Sequence, residues 1–375
     1  MIQAPVADGP LAEIAGRFHP REAIGAIEPL GQGNVNDTYL VRLRQAGVEP
    51  LVLQRLNTSV FRRPELVLRN MDTVGRHVGR RLAADPPPRT GRPWEIPRLI
   101  APQGSANPWV EADGQFWRAI SYVGRSRSLE VVREPHQARE VGFGLGMFHH
   151  LIRDLPADHL ADTLEGFHIT PGYLRQYERQ RAEGRPLATA EERWCEAFIE
   201  GRRALVPVLE EAKARGELRL RPIHGDPKSS NVLLDAATGQ AIALVDLDTV
   251  KPGLIHYDIG DCLRSCCNPL GEECRDPEAV RFDAGLCEAA LEGYLSVARG
   301  FLSEADHRYL YPALRLIAFE LGLRFFTDHL AGNVYFRSDD DEHNLRRAQV
   351  QFRLVESIEA QEESLRALLE RLRRG

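Results

Sequence analysis

The hydrophobic repeat of this 375-residue chain changes character once, near Gly124, and that change limits the fold more than any other feature. Ahead of Gly124 the apolar residues come in short runs. Residues 24–56 read as β-structure: an apolar stretch to Leu30, a Gly-containing turn, then Thr38 to Leu43 and Leu51 to Leu56. Cap-type Asn57-Thr58-Ser59, followed by Pro64, opens a helix running to about Leu82. A stiff proline-rich segment, Asp85 to Pro93, leads to two strands, Trp109–Glu111 and Gln115–Val123, joined at the hairpin dipeptide Asp113-Gly114. Beyond Gly124, helical repeats cover about 135–152, 170–182, 187–214, 278–298, 303–330 and 341–373, with one β-rich insert from Leu218 to Val250. The pattern predicts an α+β fold of two lobes, a small β-rich one over 1–123 and a larger helical one over 124–375.

Composition removes several function classes. Hydrophobic residues at 43% and charged residues at 27% suit a chain with a packed core. The net charge of −6 supplies no positive field to draw in nucleic acid or an anionic membrane. No apolar run approaches the ~18 residues of a membrane helix, and the opening MIQAPVADGP lacks the marks of a secretory signal. A cytoplasmic protein is expected. Six cysteines without a CxxC pair read as small buried hydrophobes rather than a metal or redox site, although five cluster between Cys262 and Cys287. Of the 48 basic residues only Lys213, Lys228 and Lys251 are lysines. Lys228 alone precedes a serine, and Asp-Pro rather than glycine stands before it, so a Walker P-loop is excluded.

The chemistry concentrates in Ile223-His224-Gly225-Asp226-Pro227-Lys228-Ser229-Ser230-Asn231, inside the β-rich insert. An Asp and an Asn five apart, in a loop between short strands, can face one cleft. One is then free to accept a proton and the other to bind a cation. Further on, Ala243-Leu244-Val245-Asp246-Leu247-Asp248 places two acids on the same face of an extended segment. Carboxylate and amide oxygens without a His or Cys partner suit Mg rather than zinc.

HGDxxxxN followed by an apolar strand ending in DxD resembles the aminoglycoside phosphotransferase/choline kinase group, small-molecule relatives of the protein kinases. Gly31-Gln-Gly-Asn-Val-Asn-Asp-Thr-Tyr, Leu53-Gln-Arg-Leu-Asn-Thr-Ser-Val-Phe, and Arg324-Phe-Phe-Thr-Asp with Val334-Tyr-Phe are similar, more narrowly, to N-acetylhexosamine 1-kinases. The resemblance implies a two-lobed kinase that binds ATP and Mg between its lobes. It makes Asp226 the group that orients the acceptor hydroxyl and takes its proton, and Asn231 and Asp246 the metal ligands. Asp248 either assists them or caps the turn. Lys228, two residues after Asp226, matches the lysine that protein kinases place against the transferring phosphoryl group. His224 is implied to brace the loop, and Asp258 to cap a helix or brace the loop.

No lysine precedes residue 213, so Arg55 is the replacement for the usual third-strand lysine, with Gln54 on the opposite face. Gly31 and Gly33 would let backbone approach phosphate oxygens, or simply close a hairpin. The family architecture sets adenine against the backbone at Tyr122 and Val123. Arg324 and Asp328, four apart on one helical face, form either an intrahelical ion pair or, with Tyr335 turned back by Gly332-Asn333, the acceptor contacts of a hydroxylated ring. The implied acceptor is a sugar hydroxyl, the anomeric one of an N-acetylhexosamine; an aminoglycoside, choline or other metabolite hydroxyl is the alternative. A nucleotide-binding pseudokinase is the non-enzymatic one.

Overall fold

A computed structural model describes residues 9–31, 35–45, 47–84 and 92–374; Gly33, the opening octapeptide and most of the proline-rich segment lie outside the described residues. The chain enters through α1 (Pro10–Phe18) and builds an antiparallel sheet from β1 (Ile24–Pro29), β2 (Asp37–Leu43) and β3 (Leu51–Leu56). After α2 (Pro64–Ala84) come β4 (Leu99–Ile100), β5 (Val110–Ala112) and β6 (Gln115–Ser121). The sheet order is β1-β2-β3-β6-β4, with β5 hydrogen-bonded to β6. Asp113 and Gly114 both take positive φ, 51° and 70°, as a two-residue hairpin of this hand requires.

Alternation along the strands gives the sheet two apolar faces, each covered by a helix. Ala12, Ile14, Ala15 and Phe18 of α1 pack on Ile27, Val41, Leu53 and Trp117. On the other face Val67 and Leu68 of α2 pack with Leu56 and Phe116. In the β3–β6 register Gln54 pairs with Arg118 and Arg55 with Trp117. Gln54 and Arg118 therefore share the α2 face, and Arg55 lies on the other.

The helical lobe begins after β7 (Ser126–Arg127) with α3 (Pro135–Ile152), α4 (Thr170–Glu183), α5 (Ala190–Glu200) and α6 (Val208–Ala214). Two small antiparallel sheets follow. β8 (Arg221–Ile223) joins β11 (Lys251–Gly253), and β9 (Val232–Asp235) joins both β10 (Ala241–Leu244) and β7. The rest is α7 (Ile255–Cys266), α8 (Ala284–Ala298), α9 (Glu304–Arg308), α10 (Leu310–Leu330), α11 (His343–Ala360) and α12 (Glu362–Arg374). Three expected long helices are each divided in two. The 187–214 pattern breaks around Gly201 and Pro207, the 303–330 pattern at Tyr309 and the 341–373 pattern at Gln361. The 278–298 helix starts only at Ala284, where Asp283 caps it through the Leu286 N–H. Along α12, Leu365, Leu368 and Leu372 are buried against the body. No helix among the described residues is long and apolar enough to cross a membrane.

Buried α3 and α8 cross at close range because glycine lets them. A Cβ on Gly142 would stand 1.8 Å from the Ala290 carbonyl oxygen, and one on Gly293 would stand 1.9 Å from that of Arg139. Both obstacles are backbone, which cannot rotate away. Gly142→Ala should therefore destabilise the protein by about 1–3 kcal/mol, the range of overpacked cores, although alanine is the better helix former. Denaturant unfolding would reveal it; a variant as stable as the parent would mean that the helices slide apart freely.

Candidate active site

The HGD loop leaves β8 and is held by one buried carboxylate. Asp258, in the first turn of α7, accepts the backbone N–H groups of His224 (2.7 Å) and Gly225 (2.8 Å) and a bond from His149 Nε2 (2.8 Å). It is thus a loop brace and not the helix cap, a position held by Leu254. Gly225 has φ 89°, and a Cβ there would meet the Thr249 carbonyl at 2.6 Å. His224 accepts the Asp226 N–H at Nδ1 (3.3 Å) and donates from Nε2 to the Val245 carbonyl (2.9 Å), which ties the loop to the end of β10. Burial pushes its pKa down, as suits the neutral tautomer these two bonds define.

Asp226 emerges from this brace partly exposed, at 29%. Lys228 Nζ lies 3.2 Å from its Oδ2. Burial works to raise the Asp226 pKa, but the charge of Lys228 and its hydrogen bond outweigh it and hold the carboxyl below the ordinary aspartate range. The ammonium is in turn held well above its usual value by Asp226. At neutral pH the pair is a carboxylate and an ammonium on one lip of the cleft. Asn231 donates from its amide nitrogen to the Asp226 carbonyl (2.6 Å). Its Oδ1 makes no hydrogen bond among the described residues, so it is available to a cation.

Asp246, two residues past the end of β10, takes the left-handed conformation, φ 65° and ψ 60°, and Leu247–Thr249 then forms a 3-10 turn. The segment is not extended, and the shared face expected for Asp246 and Asp248 does not exist. Asp246 is open to the cleft, and its carboxylate accepts no hydrogen bond among the described residues. Enclosure by the cleft walls, then the charges of Asp248 and Asp226, push its pKa up to about 7. A crowded, unpaired carboxylate of this kind fits a divalent cation. Asp248 does not: at 2% exposure it is ion-paired with Arg118 and accepts from Asn36 Nδ2 at 2.7 Å, so both its oxygens are engaged. Its expected role as a metal ligand gives way to that of counter-ion. With Asn231 and Asp246 alone, most of a Mg coordination sphere would come from phosphate and water oxygens, the usual arrangement for that ion.

The small lobe corrects the arginine assignment. Arg55 points away from the acids and pairs with Asp37 at 2.7 Å, with 43% of its side chain exposed. The face turned to the cleft carries Gln54, which receives Arg118 Nε at 2.9 Å and donates to Thr38 Oγ1 at 3.1 Å. The reason is the pleat: Arg55 shares the α1 face with Trp117, and one residue decides the side. Arg118, buried to 1% exposure, leaves one mark in the sequence: it is an arginine inside the otherwise apolar Phe116–Ile120 run. Gly31 takes φ 73° in open space. Val123 is buried with Ile242 and Ala243, forming an apolar wall where β6 leaves the sheet; Tyr122 precedes it. The buried Cys262, Cys266, Cys267 and Cys287 belong to the core, and burial pushes the thiols of Cys262 and Cys267 well up.

A second opening, a cleft of about 940 Å³, is lined by Phe167, Tyr173, Arg324 and Tyr335. The Arg324 guanidinium lies 5.0 to 5.9 Å from the rings of Tyr173, Phe167, Phe336 and Tyr335, and makes no ion pair among the described residues. Asp328 stands in the cleft lining but does not pair with Arg324. Buried, it accepts the N–H groups of Val334 (3.0 Å), Tyr335 (2.8 Å) and Phe336 (2.9 Å), so both its oxygens are engaged in shaping the loop that presents Tyr335. Gly332 and Asn333, both at positive φ, make the turn after α10.

A small antiparallel sheet set on a helical body, with loop acids at the junction, is the architecture of the protein-kinase-like phosphotransferases. The model of the APH phosphotransferase enzyme family matches residues 26–298, and the chain belongs to that family. It is a small-molecule phosphotransferase. Among solved structures it is similar to an aminoglycoside phosphotransferase from Alicyclobacillus acidocaldarius, with 17% identity, 98% of both chains covered and a TM-score of 0.61. A microcompartment-associated aminopropanol kinase shares 18% identity over 96% of this chain and 98% of its own, with a TM-score of 0.63. Choline kinase from Cryptosporidium parvum shares 13% over 96% and 98%, with a TM-score of 0.60. At these identities the likeness is one of fold.

Proposed function

We propose that the protein is an ATP- and Mg-dependent kinase that transfers the γ-phosphoryl group to a sugar hydroxyl, the anomeric hydroxyl of an N-acetylhexosamine. The observation that carries this reading is Asp226, an ionised carboxylate contacted by Asn231 and close enough for its charge to act on both Asp246 and the Arg324 of the aromatic cleft. Asp226 accepts a hydrogen bond from the acceptor hydroxyl, orients its lone pair and receives its proton as transfer proceeds. Lys228 holds the carboxylate ionised and presents positive charge to the transferring group. Asn231 and Asp246 would hold the magnesium, which when bound neutralises phosphate charge. The wall of Val123, Ile242 and Ala243 is apolar, as suits an adenine ring.

Arg324 argues for the acceptor. A fixed guanidinium inside a ring of aromatics occupies the place where an ammonium ligand would otherwise gain cation–π attraction. It would repel choline or a polycationic aminoglycoside. A neutral hydroxylated ring instead gains donors from Arg324, a phenol from Tyr335 and stacking surface. Incubation with ATP and Mg against a panel of N-acetylhexosamines, other sugars, amino alcohols and aminoglycosides, read by ADP release and phosphorus NMR, tests the proposal. Turnover of amino alcohols or aminoglycosides in preference to sugars would overturn it.

The cleft also predicts separable kinetics. Arg324→Ala and Tyr335→Phe should each lower kcat/KM for the acceptor by about 10-fold or more, the cost of one hydrogen bond lost from a covered site. ATP binding measured without acceptor should barely change. A lower melting temperature with intact acceptor kinetics would make both residues structural.

A further inference from the structure

Behind the HGD loop stands a buried group outside the motif. His168, 4% exposed, sits between the Gly225 carbonyl, 2.7 Å from Nε2, and Glu320 Oε1, 2.9 Å from Nδ1. Glu320 is itself buried, and its other oxygen receives the Thr170 hydroxyl at 2.6 Å. A backbone carbonyl can only accept, and an ionised carboxylate can only accept. A neutral imidazole offers one donor, so it cannot serve both partners. With Glu320 ionised, two bonds of this length require a proton on each ring nitrogen; with the proton on the Glu320 carboxyl instead, Nδ1 would accept it and the ring would stay neutral.

We propose that His168 is a buried imidazolium, held by Glu320, that fixes the Gly225 carbonyl and so positions Asp226 against the acceptor. It is a positioning residue, and its role rests on the reading of Asp226 as the group that takes the acceptor's proton. Its site on the chain gives it that leverage. Gly225 precedes Asp226, while Glu320 stands one turn before Arg324 on α10. Phe167, next to His168, lies 5.1 Å from the Arg324 guanidinium. The wall of the acceptor cleft and the proton-accepting loop thus meet through one ion pair. His168 also takes φ 64°, a conformation that side chains other than glycine adopt only when their surroundings hold them.

The surroundings favour the charged ring. Burial alone would lower the His168 pKa, but Glu320, the Gly225 carbonyl and Asp261 outweigh it, and the net direction is upward. Tyr257 stacks on the imidazole at 5.2 Å and Tyr173 lies nearby, both with phenols that burial keeps protonated. Arg324 is the one cation facing the Glu320 side among these groups. A raised folded value means the charge persists above the ordinary imidazole range and is lost as pH rises through it.

The test combines a spectroscopic reading of the native enzyme with two variants. Nitrogen-resolved NMR of the imidazoles should show His168 doubly protonated above neutral pH; a neutral tautomer there would overturn the proposal outright. Glu320→Gln keeps a polar partner for Nδ1 but removes the counter-charge. It should lower kcat between about 10- and 100-fold, as a misplaced reacting group does, and move the alkaline fall of kcat to lower pH. His168→Phe should lose kcat to the same extent, while His168→Gln, which can still donate to Gly225, should recover part of it. Nucleotide affinity should stay constant throughout. Variants that melt earlier yet keep the parental kcat and pH profile would sink the positioning role. A fully active Asp226→Asn enzyme would remove the reading beneath that role and leave the NMR result standing.

Discussion

Asp226→Asn should bring phosphoryl transfer down by about 10²–10⁴-fold, the range expected when a positioned proton acceptor is removed, while nucleotide binding stays near the parental value. The asparagine keeps the size of the side chain. It retains an oxygen that can accept from Lys228, yet loses the charge that the ammonium stabilises. The loop itself should not change. Its shape depends on Asp258 and the His224 and Gly225 N–H groups, none of which touch the substituted carboxyl. Single-turnover transfer to the accepted sugar, set beside calorimetric ATP binding, measures both halves. Transfer at the parental rate would mean that Asp226 is one more turn acid and would favour a binding protein that has kept a kinase-like loop.

Asp226, Asn231 and Asp246 are legible from their spacing because a loop between two short strands leaves few ways to arrange them. The paired strands and the Asp113-Gly114 hairpin are local, and alternation plus turn chemistry reveals them. What depends on distant partners is not legible. Arg55 and Gln54 differ only in which side of the pleat they take, and the side is decided by the pairing of β3 with β6, sixty-odd residues on. Asp328 looks free beside Arg324 until the chain returns at residues 334–336 to use its oxygens. Helix α1 carries Leu11, Ile14, Ala15 and Phe18 at helical spacing, but its nine residues give too few turns to stand out without the sheet that buries them. His168 and Glu320 carry no sequence signal, since 152 residues separate them.

The second large effect belongs to the small lobe. Arg118→Ala should destabilise the protein by about 3–5 kcal/mol, because it leaves the Asp248 carboxylate buried without its cation. Arg118 is 1% exposed and Asp248 2%, so no water enters to compensate. The same guanidinium holds Gln54 through Nε, and a lysine has no planar fork to serve both partners; Arg118→Lys should recover only part of the loss. Asp248 sits in the 3-10 turn that follows Asp246, and its second oxygen holds Asn36, the residue before β2. Breaking the pair should therefore weaken Mg-dependent nucleotide binding as well as stability. Arg55→Ala should do neither: its exposed pair with Asp37 is worth at most about 1 kcal/mol. Denaturant unfolding and ATP titrations with and without Mg compare the variants directly. If Arg55→Ala costs nucleotide affinity and Arg118→Ala does not, the cleft is served by the other face of β3, and Arg118 with Asp248 holds the lobes together without touching the chemistry.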